Sequence, residues 1–139
     1  MILVDSSGLL AALLPDQPWH SEALRCLNEE AGPLVLSPFI LAETAYLLAR
    51  DGGQDLELLF LDQVAAGAFR LESFTPGQVR IAREVVADYP DLRLGLADAS
   101  IVALARRYDC RRLLTLDQRH FRTVPGPDDQ PFVILPADL

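Results

Sequence analysis

The chain contains no lysine: all 12 of its basic residues are arginine. Sites whose chemistry requires a lysine side chain are therefore excluded. Phospho-acceptor receivers and haloacid-dehalogenase-type phosphatases place an aspartate after the first strand, but both families also use an active-site lysine. The sequence also lacks a glycine-rich loop that ends in Lys-Ser or Lys-Thr, which argues against a P-loop nucleotide-binding protein.

Cysteine and long apolar runs are also scarce. The two cysteines, Cys26 and Cys110, do not make a disulfide framework, and we expect both to be reduced thiols. The apolar runs, such as 6–15 and 99–105, are shorter than the roughly 20 residues that span a bilayer. The N-terminus has no basic residue ahead of its apolar part, unlike a secretory signal. We expect a cytoplasmic protein without a membrane segment.

The composition is that of one globular domain over residues 1–139. Half of the residues are hydrophobic and 23% are charged, which is enough apolar material to bury a sizeable core. The net charge of −8 argues at first against a polyanionic partner. However, the segment 106–122 carries six arginines against two acids. Charge is therefore polarised along the chain, and one stretch is basic.

Short apolar segments alternate with segments of helical periodicity and helix-start signals. The predicted strands are 1–4, 34–36, 68–74, 113–115 and 132–135. The predicted helices run from 6 to about 14, from 16–18 to about 31, over 38–50, 54–66, 76 to about 89 and 97–108, with a helical turn at 117–121. This alternation predicts an α/β fold with a parallel sheet and helices on both faces.

Four acidic residues stand alone within otherwise uncharged stretches. They are Asp5, Glu43, Asp98 and Asp117. An unpaired buried carboxylate costs several kcal/mol and tends to be protonated instead, so that an isolated acid in an apolar segment needs an explanation. A helix cap or a turn would explain Asp5, Asp98 or Asp117 singly. It would not explain all four together.

The positions of these acids in the predicted elements favour one shared site. Asp5 ends the first strand and Asp117 follows a later one, so both belong to the carboxyl edge of a parallel sheet, where open α/β folds bind ligands. Asp98 opens a helix, whose dipole stabilises an anion. Glu43 lies on a helix between Ile40 and Leu47, which predicts that its side chain faces inward.

Convergent carboxylates repel one another unless a cation lies among them. Oxygen ligands suit Mg²⁺ or Mn²⁺, and such a site, with one ion or two, is the usual apparatus for phosphodiester hydrolysis. Zinc is disfavoured because His20 and His120 have no partner at ligand spacing. We expect His20 on a helix surface and His120 as a hydrogen-bond donor in a loop. Arginines in 106–122, with Arg106 and Arg119 as the candidates, could hold neighbouring phosphates by bidentate contacts.

The four acidic segments, taken in order, resemble the motifs of a known family. MILVDSSGLLAALL, SPFILAETAYLL, LADASIVALARR and LLTLDQRHF are similar to the four motifs of PIN-domain nucleases, and most of all to VapC-type toxins of bacterial toxin–antitoxin pairs. The resemblance covers essentially the whole chain. It implies that Asp5, Glu43, Asp98 and Asp117 are the catalytic, metal-binding acids. Ser6 matches the hydroxyl residue that usually follows the first aspartate, and Thr115 the one two residues before the last.

The resemblance also implies a fold, an activity and partners. The expected fold is a five-stranded parallel sheet in the order 3-2-1-4-5, and the expected activity is Mg²⁺-dependent cleavage of RNA. The expected partners are RNA, a cognate antitoxin and a second copy of the chain. Apolar residues on the helices at 38–50 and 54–66 exceed what one small core absorbs, which predicts a dimer or antitoxin groove there.

Two alternatives remain open at the level of sequence. The chain fits equally a PIN-fold nuclease that processes RNA without an antitoxin. It also fits a module that binds RNA or a protein partner without cleaving anything.

Overall fold

The computed structural model describes residues 1–139 and contains one sheet of five parallel strands. The strands are β1 (Ile2–Val4), β2 (Leu34–Leu36), β3 (Arg70–Leu71), β4 (Arg112–Leu114) and β5 (Val133–Leu135). Their order is β3-β2-β1-β4-β5. The predicted α/β class and strand order are therefore confirmed. The side chains of β1 are all buried, as expected of a central strand covered on both faces.

Seven α-helices connect the strands. They are α1 (Ser6–Leu13), α2 (His20–Glu29), α3 (Pro38–Gly52), α4 (Gln54–Ala65), α5 (Pro76–Asp88), α6 (Leu96–Tyr108) and α7 (Gln118–Thr123). Two of them begin through the predicted chemistry. The Ser37 side chain accepts a hydrogen bond from the backbone N–H of Phe39, and Thr75 and Gln78 form a capping box.

The start of α2 differs from its predicted position. The sequence predicts a start at 16–18, whereas α2 begins at His20. The backbone N–H of His20 bonds to the Gln17 carbonyl in a turn, and Trp19 takes a left-handed φ of 65°. This turn chemistry occupies the residues that were expected to form the first helical turn.

The third strand is also shorter than its pattern predicts. Alternating side chains favour a strand over 68–74, but β3 pairs only at Arg70 and Leu71. Its one neighbour, β2, is three residues long, because Ser37 caps α3 directly after it. A strand at the edge of a sheet extends only as far as its partner offers backbone groups.

The chain reverses its direction of travel across the sheet between β1 and β4. From β1 it proceeds through β2 to the edge strand β3, and it then returns to β4 and β5. Right-handed crossovers consequently place α1–α4 on one face and α5–α7 on the other. The carboxyl ends of β1 and β4 thus meet at the switch point, where open α/β sheets bind ligands.

Gly8 lets α1 lie close to the end of β4. A Cβ atom at this position would lie 2.5 Å from the carbonyl oxygen of Leu114 and 2.7 Å from its carbonyl carbon. Backbone atoms cannot yield as a flexible side chain can, so only glycine fits here. The first turn of α1 is thereby held against β4, and the backbone N–H of Leu116 donates to Ser7 Oγ at 3.0 Å.

The core is a single cluster of 31 buried hydrophobic residues around the sheet. Edge-to-face aromatic pairs close it at two places, Phe60 with Phe69 and Phe121 with Phe132. Both cysteines are buried free thiols, as the sequence predicts. None of the seven helices combines the length and the apolar character that crossing a membrane requires.

Candidate active site

A cavity of about 320 Å³ opens at the carboxyl edge of the sheet, beside the ends of β1 and β4. Four carboxylates line it: Asp5, Glu43, Asp98 and Asp117. The other lining residues are small, hydroxylated or apolar, namely Ser6, Ser7, Leu10, Leu47, Gly95 and Ala97. The structure therefore brings all four predicted acids together. No arginine lines the cavity, so that it concentrates negative charge.

Asp5 is the most deeply placed carboxylate, with 3% of its surface exposed. It follows β1 directly, and both hydroxyl groups that reach it bond to the same oxygen, Oδ2: Ser7 Oγ at 2.7 Å and Thr115 Oγ1 at 2.7 Å. Burial raises the pKa of Asp5, although the hydrogen bonds from Ser7 and Thr115 oppose this effect. The other oxygen, Oδ1, accepts no side-chain hydrogen bond and remains available to a ligand.

Glu43 lies on α3, where the hydroxyl of Ser6 donates a hydrogen bond to its Oε1. The sequence predicts an inward-facing side chain, but Glu43 is exposed at the rim of the cavity. Because the cavity is itself open to solvent, the Glu43 side chain can line the cavity and still be exposed. Ser6 is thus placed next to Asp5 in sequence and next to Glu43 in space.

Asp98 lies in the first turn of α6, and its helix is tied to α3. The hydroxyls of Ser37 and Ser100 are 2.6 Å apart in a buried hydrogen bond that joins the two helices. Burial and the neighbouring charge of Asp5 raise the pKa of Asp98 to about 6, and His120 partly opposes the rise. Burial first, and nearby negative charge second, therefore favour the protonated form of Asp98.

Asp117 uses its two oxygens for different purposes. Oδ1 accepts a hydrogen bond of 3.1 Å from the backbone N–H of His120 and so caps α7. Oδ2 lies 2.9 Å from Nδ1 of His120. The capping role that explains such an aspartate by itself is therefore present, but it occupies only one oxygen.

His120 is the main residue of this region that sequence reasoning missed. It lies in α7, not in a loop, and its Nδ1 is 3.2 Å from Asp98 Oδ2 as well as close to Asp117. The expectation that neither histidine has partners at ligand distance is wrong for His120. The available signal was its i+3 spacing from Asp117, which brings the two side chains together once the segment is helical.

Ser7 and Ser100 were also missed. Ser7 contacts Asp5 and Thr115, and Ser100 anchors α6 to α3. Ser100 lies between the buried apolar residues Ala99 and Ile101, and Ser7 lies in the first turn of the mostly apolar helix α1. That pattern could have marked them as partners of buried polar groups.

The two arginines chosen for phosphate contact lie outside the cavity. Arg106 is in the last turn of α6, about 12 Å along the helix from Asp98 at 1.5 Å per residue. It lines a different cleft, beside Asp109 and Asp128. Arg119 is an exposed residue of α7, next to His120 in sequence. Contact with RNA stays a prediction for both, and the structure favours Arg119 by position.

The donor set of the cavity suits a hard divalent cation. Four carboxylates from four separate places in the fold line one cavity, and burial together with their mutual repulsion raises the pKa of Asp98. Asp98, Asp117 and His120 each offer a ligand atom, and these three atoms lie within 4.8 Å of one another. Such a set satisfies the ligand chemistry of Mg²⁺ or Mn²⁺.

Comparison with known proteins identifies relatives over most of the chain. The sequence profile of the PIN domain family matches residues 2–127. Ribonuclease VapC26 of Mycobacterium tuberculosis is 38% identical over 135 residues, which cover 97% of this chain and 100% of that protein.

Solved structures share the fold at lower sequence identity. The crystal structure of Mycobacterium tuberculosis VapC20, described as a sarcin–ricin loop cleaving toxin, superposes with a TM-score of 0.79 at 22% identity, covering 86% of this chain and 92% of that one. A toxin–antitoxin complex from Klebsiella pneumoniae superposes with a TM-score of 0.67 at 19% identity, covering 91% and 95%.

Proposed function

Since this chain belongs to the PIN-domain family and is a VapC-type member of it, we propose that it is a divalent-metal-dependent endoribonuclease. The observation that supports this proposal most directly is the cavity at the sheet switch point, which four carboxylates and no arginine line. That arrangement is suited to binding a cation against which a phosphodiester can be placed.

Asp5, Asp98, Asp117 and Glu43 are the proposed metal-binding and catalytic residues, with Mg²⁺ as the expected ion and Mn²⁺ as a substitute. The bound ion would supply Lewis-acid activation of water and charge stabilisation at the scissile phosphate. The carboxylates are well prepared for this role. In Asp5 and in Glu43, hydroxyl groups donate hydrogen bonds to one carboxylate oxygen. These bonds orient the carboxylate and leave its second oxygen for the metal ion.

The supporting residues act by positioning. Thr115 donates to Asp5 and also accepts the backbone N–H of Asp117 at 3.0 Å, so that it sets the spacing of two of the acids. Ser6, which follows Asp5 at the end of β1, donates a hydrogen bond to Glu43 and so fixes the position of that carboxylate relative to β1. Each hydroxyl thereby limits the number of conformers that the carboxylate samples, which lowers the entropic cost of assembling the site.

RNA is the proposed substrate, and its approach must overcome the charge of the cavity. The exposed Arg119 on α7 lies next to this edge and is suited to hold a neighbouring phosphate. The two cysteines are free thiols, which fits action in the cytoplasm.

We further propose that the protein is the toxin of a toxin–antitoxin pair and that it forms homodimers. The structural relatives include the toxin–antitoxin complex from Klebsiella pneumoniae. In this chain, α3 and α4 expose Tyr46, Leu58 and Leu59, with exposed fractions of 67%, 49% and 54%. Large apolar side chains at such exposure are suited to a protein interface.

The activity is tested by cleavage of a structured RNA in the presence and absence of Mg²⁺ or Mn²⁺. Asp98→Asn and Asp5→Asn should each abolish cleavage while circular dichroism shows a folded protein. Asp62→Asn, which changes an exposed acid on α4, should cleave like the parent. Retained cleavage in both site variants would overturn the proposed function.

The toxin role is tested separately in cells. Controlled expression of the parent should arrest growth, and sequencing of RNA ends should show new termini that Asp98→Asn does not produce. Growth arrest that persists with Asp98→Asn would show that the arrest does not depend on RNA cleavage at this site.

A further inference from the structure

His120 presents an unpaired nitrogen to the acidic cavity. Its Nδ1 is buried and lies 2.9 Å from Asp117 Oδ2 and 3.2 Å from Asp98 Oδ2. Neither contact is aligned as a hydrogen bond, although both are short enough, so that this nitrogen has no hydrogen-bond partner. A buried polar atom without a partner costs free energy and calls for an explanation.

The other ring nitrogen defines the tautomer. Nε2 of His120 lies 2.9 Å from the backbone carbonyl oxygen of Leu92. A carbonyl can only accept, so Nε2 carries the proton and donates. In the neutral ring, Nδ1 is then a lone pair that faces two carboxylates. Histidines that bind metal ions share this arrangement, in which the second ring N–H is held by a backbone carbonyl or a carboxylate.

The distances suit adjacent positions around one ion. In an octahedral site with bonds of 2.0–2.1 Å, neighbouring ligand atoms are roughly 3 Å apart. The contacts of Nδ1 with Asp117 and Asp98, at 2.9 and 3.2 Å, match this edge length. The same geometry explains the poor hydrogen-bond alignment. A lone pair directed at an ion held by both carboxylates would not be aligned with either carboxylate oxygen.

We propose that His120 Nδ1 is a direct ligand of the divalent ion, together with Asp98 and Asp117. This inference rests on the proposed function, because it concerns the same ion. It changes the expected metal preference. An imidazole nitrogen favours Mn²⁺ over Mg²⁺, whereas oxygen ligands alone discriminate less between these two ions. His120 is then part of the binding site and not only a structural donor.

Pulsed electron paramagnetic resonance of the full chain loaded with Mn²⁺ tests this directly. The parent should show ¹⁴N coupling of a bound imidazole. His120→Gln should lose this coupling, because glutamine can keep the hydrogen bond to Leu92 but has no nitrogen at the Nδ1 position. Calorimetry should show that Mn²⁺ binds at least about tenfold more weakly to His120→Gln, since even the loss of a residue that only orients a ligand has that effect, and Mg²⁺ binding should weaken less.

The second histidine provides the matched control. His20 lies at the start of α2, where its Nδ1 is 2.8 Å from the carbonyl oxygen of Ala11. His20→Gln should keep the ¹⁴N coupling and the parental Mn²⁺ affinity. Mn²⁺ bound to the parent without ¹⁴N coupling would overturn the role of His120 and leave the proposed nuclease intact. No binding of Mn²⁺ to the parent would overturn both.

Discussion

The hydroxyl of Thr115 donates a hydrogen bond of 2.7 Å to Oδ2 of Asp5, across 110 positions of the sequence. Both groups are almost fully buried. The bond joins the carboxyl ends of β1 and β4, the two strands between which the chain reverses its direction of travel across the sheet. Stability and site geometry therefore depend on the same contact, and a change at Thr115 should affect both.

Thr115→Val should lower the free energy of unfolding by about 1–3 kcal/mol, because a buried carboxylate loses one of its two side-chain donors while the side-chain volume is kept. RNA cleavage should fall as well, since Asp5 and Asp117 lose their common hydrogen-bond partner. Urea denaturation and the cleavage assay measure the two effects.

Thr123→Val is the control for this change. The Thr123 hydroxyl bonds to the Arg119 carbonyl on an exposed helix, so its loss should change stability by no more than about 0.5 kcal/mol. Equal stability losses in the two variants would show that the bond to Asp5 has no special weight.

Gly8→Ala should destabilise the protein by roughly 1–3 kcal/mol, the usual cost of overpacking. The new Cβ would lie 2.5 Å from the Leu114 carbonyl oxygen, and relief requires α1 to move away from β4. Because Ser7 is carried on the same turn, cleavage should decrease too. Thermal denaturation and the cleavage assay measure these effects.

Gly77→Ala is the matched substitution at a site with space. Its Cβ would meet only Thr75 Oγ1 at 3.8 Å, and alanine is a better helix former than glycine by about 0.5–1 kcal/mol. This variant should be as stable as the parent or more so. A Gly8→Ala protein that matches it would show that α1 does not need its close approach to β4.

The raised pKa of Asp98 predicts a pH dependence of the metal-free protein. The folded state holds this proton more tightly than the unfolded chain, with a pKa of about 6 against 3.8. The contribution to stability is therefore fully present below pH 3.8 and is lost as the pH rises through about 6. In a chelating buffer at about pH 7.5, Asp98→Asn should raise the melting temperature by at least about 4 °C.

The gain should shrink as the pH falls toward 4, where Asp98 itself is protonated in the folded state. Asp62→Asn, at an exposed position, should show no such trend. A melting temperature of Asp98→Asn that follows the parent at every pH would mean that burial and neighbouring charge do not raise the pKa of Asp98. Mn²⁺ should stabilise the parent more at high pH than at low pH, since protons compete with the ion for the carboxylates.

Self-association should depend on the exposed apolar residues of α3 and α4. Leu59→Ser on α4 removes a large side chain that is 54% exposed and should shift the protein from dimer to monomer in light scattering coupled to size exclusion. Val79→Ser makes a similar change on α5, where 41% of the residue is exposed, and should leave the dimer intact. The reverse pattern would place the interface on α5.

The sequence indicated the acids and the alternation of strands with helices because both depend on local chemistry, whereas the strand order followed from the resemblance to PIN-domain nucleases. Asp5 and Asp117 stand at the ends of apolar segments, and strands that alternate with helices allow few topologies. The helix starts at Ser37 and Thr75 follow from caps within three residues. Another local signal was wrong. The alternating pattern over 68–74 predicts a longer strand than the three residues of β2 can bind by backbone hydrogen bonds.

What the sequence by itself determined is therefore the fold and the four carboxylates, since isolated charge in apolar segments and period-two or helical patterns are local properties. Only the tertiary structure decided the role of His120. Its tautomer depends on the Leu92 carbonyl, 28 residues away, and its neighbour Asp98 belongs to another helix. The exposure of Glu43 was decided in the same way, because it depends on how α3 packs beside the cavity and not on spacing along the chain.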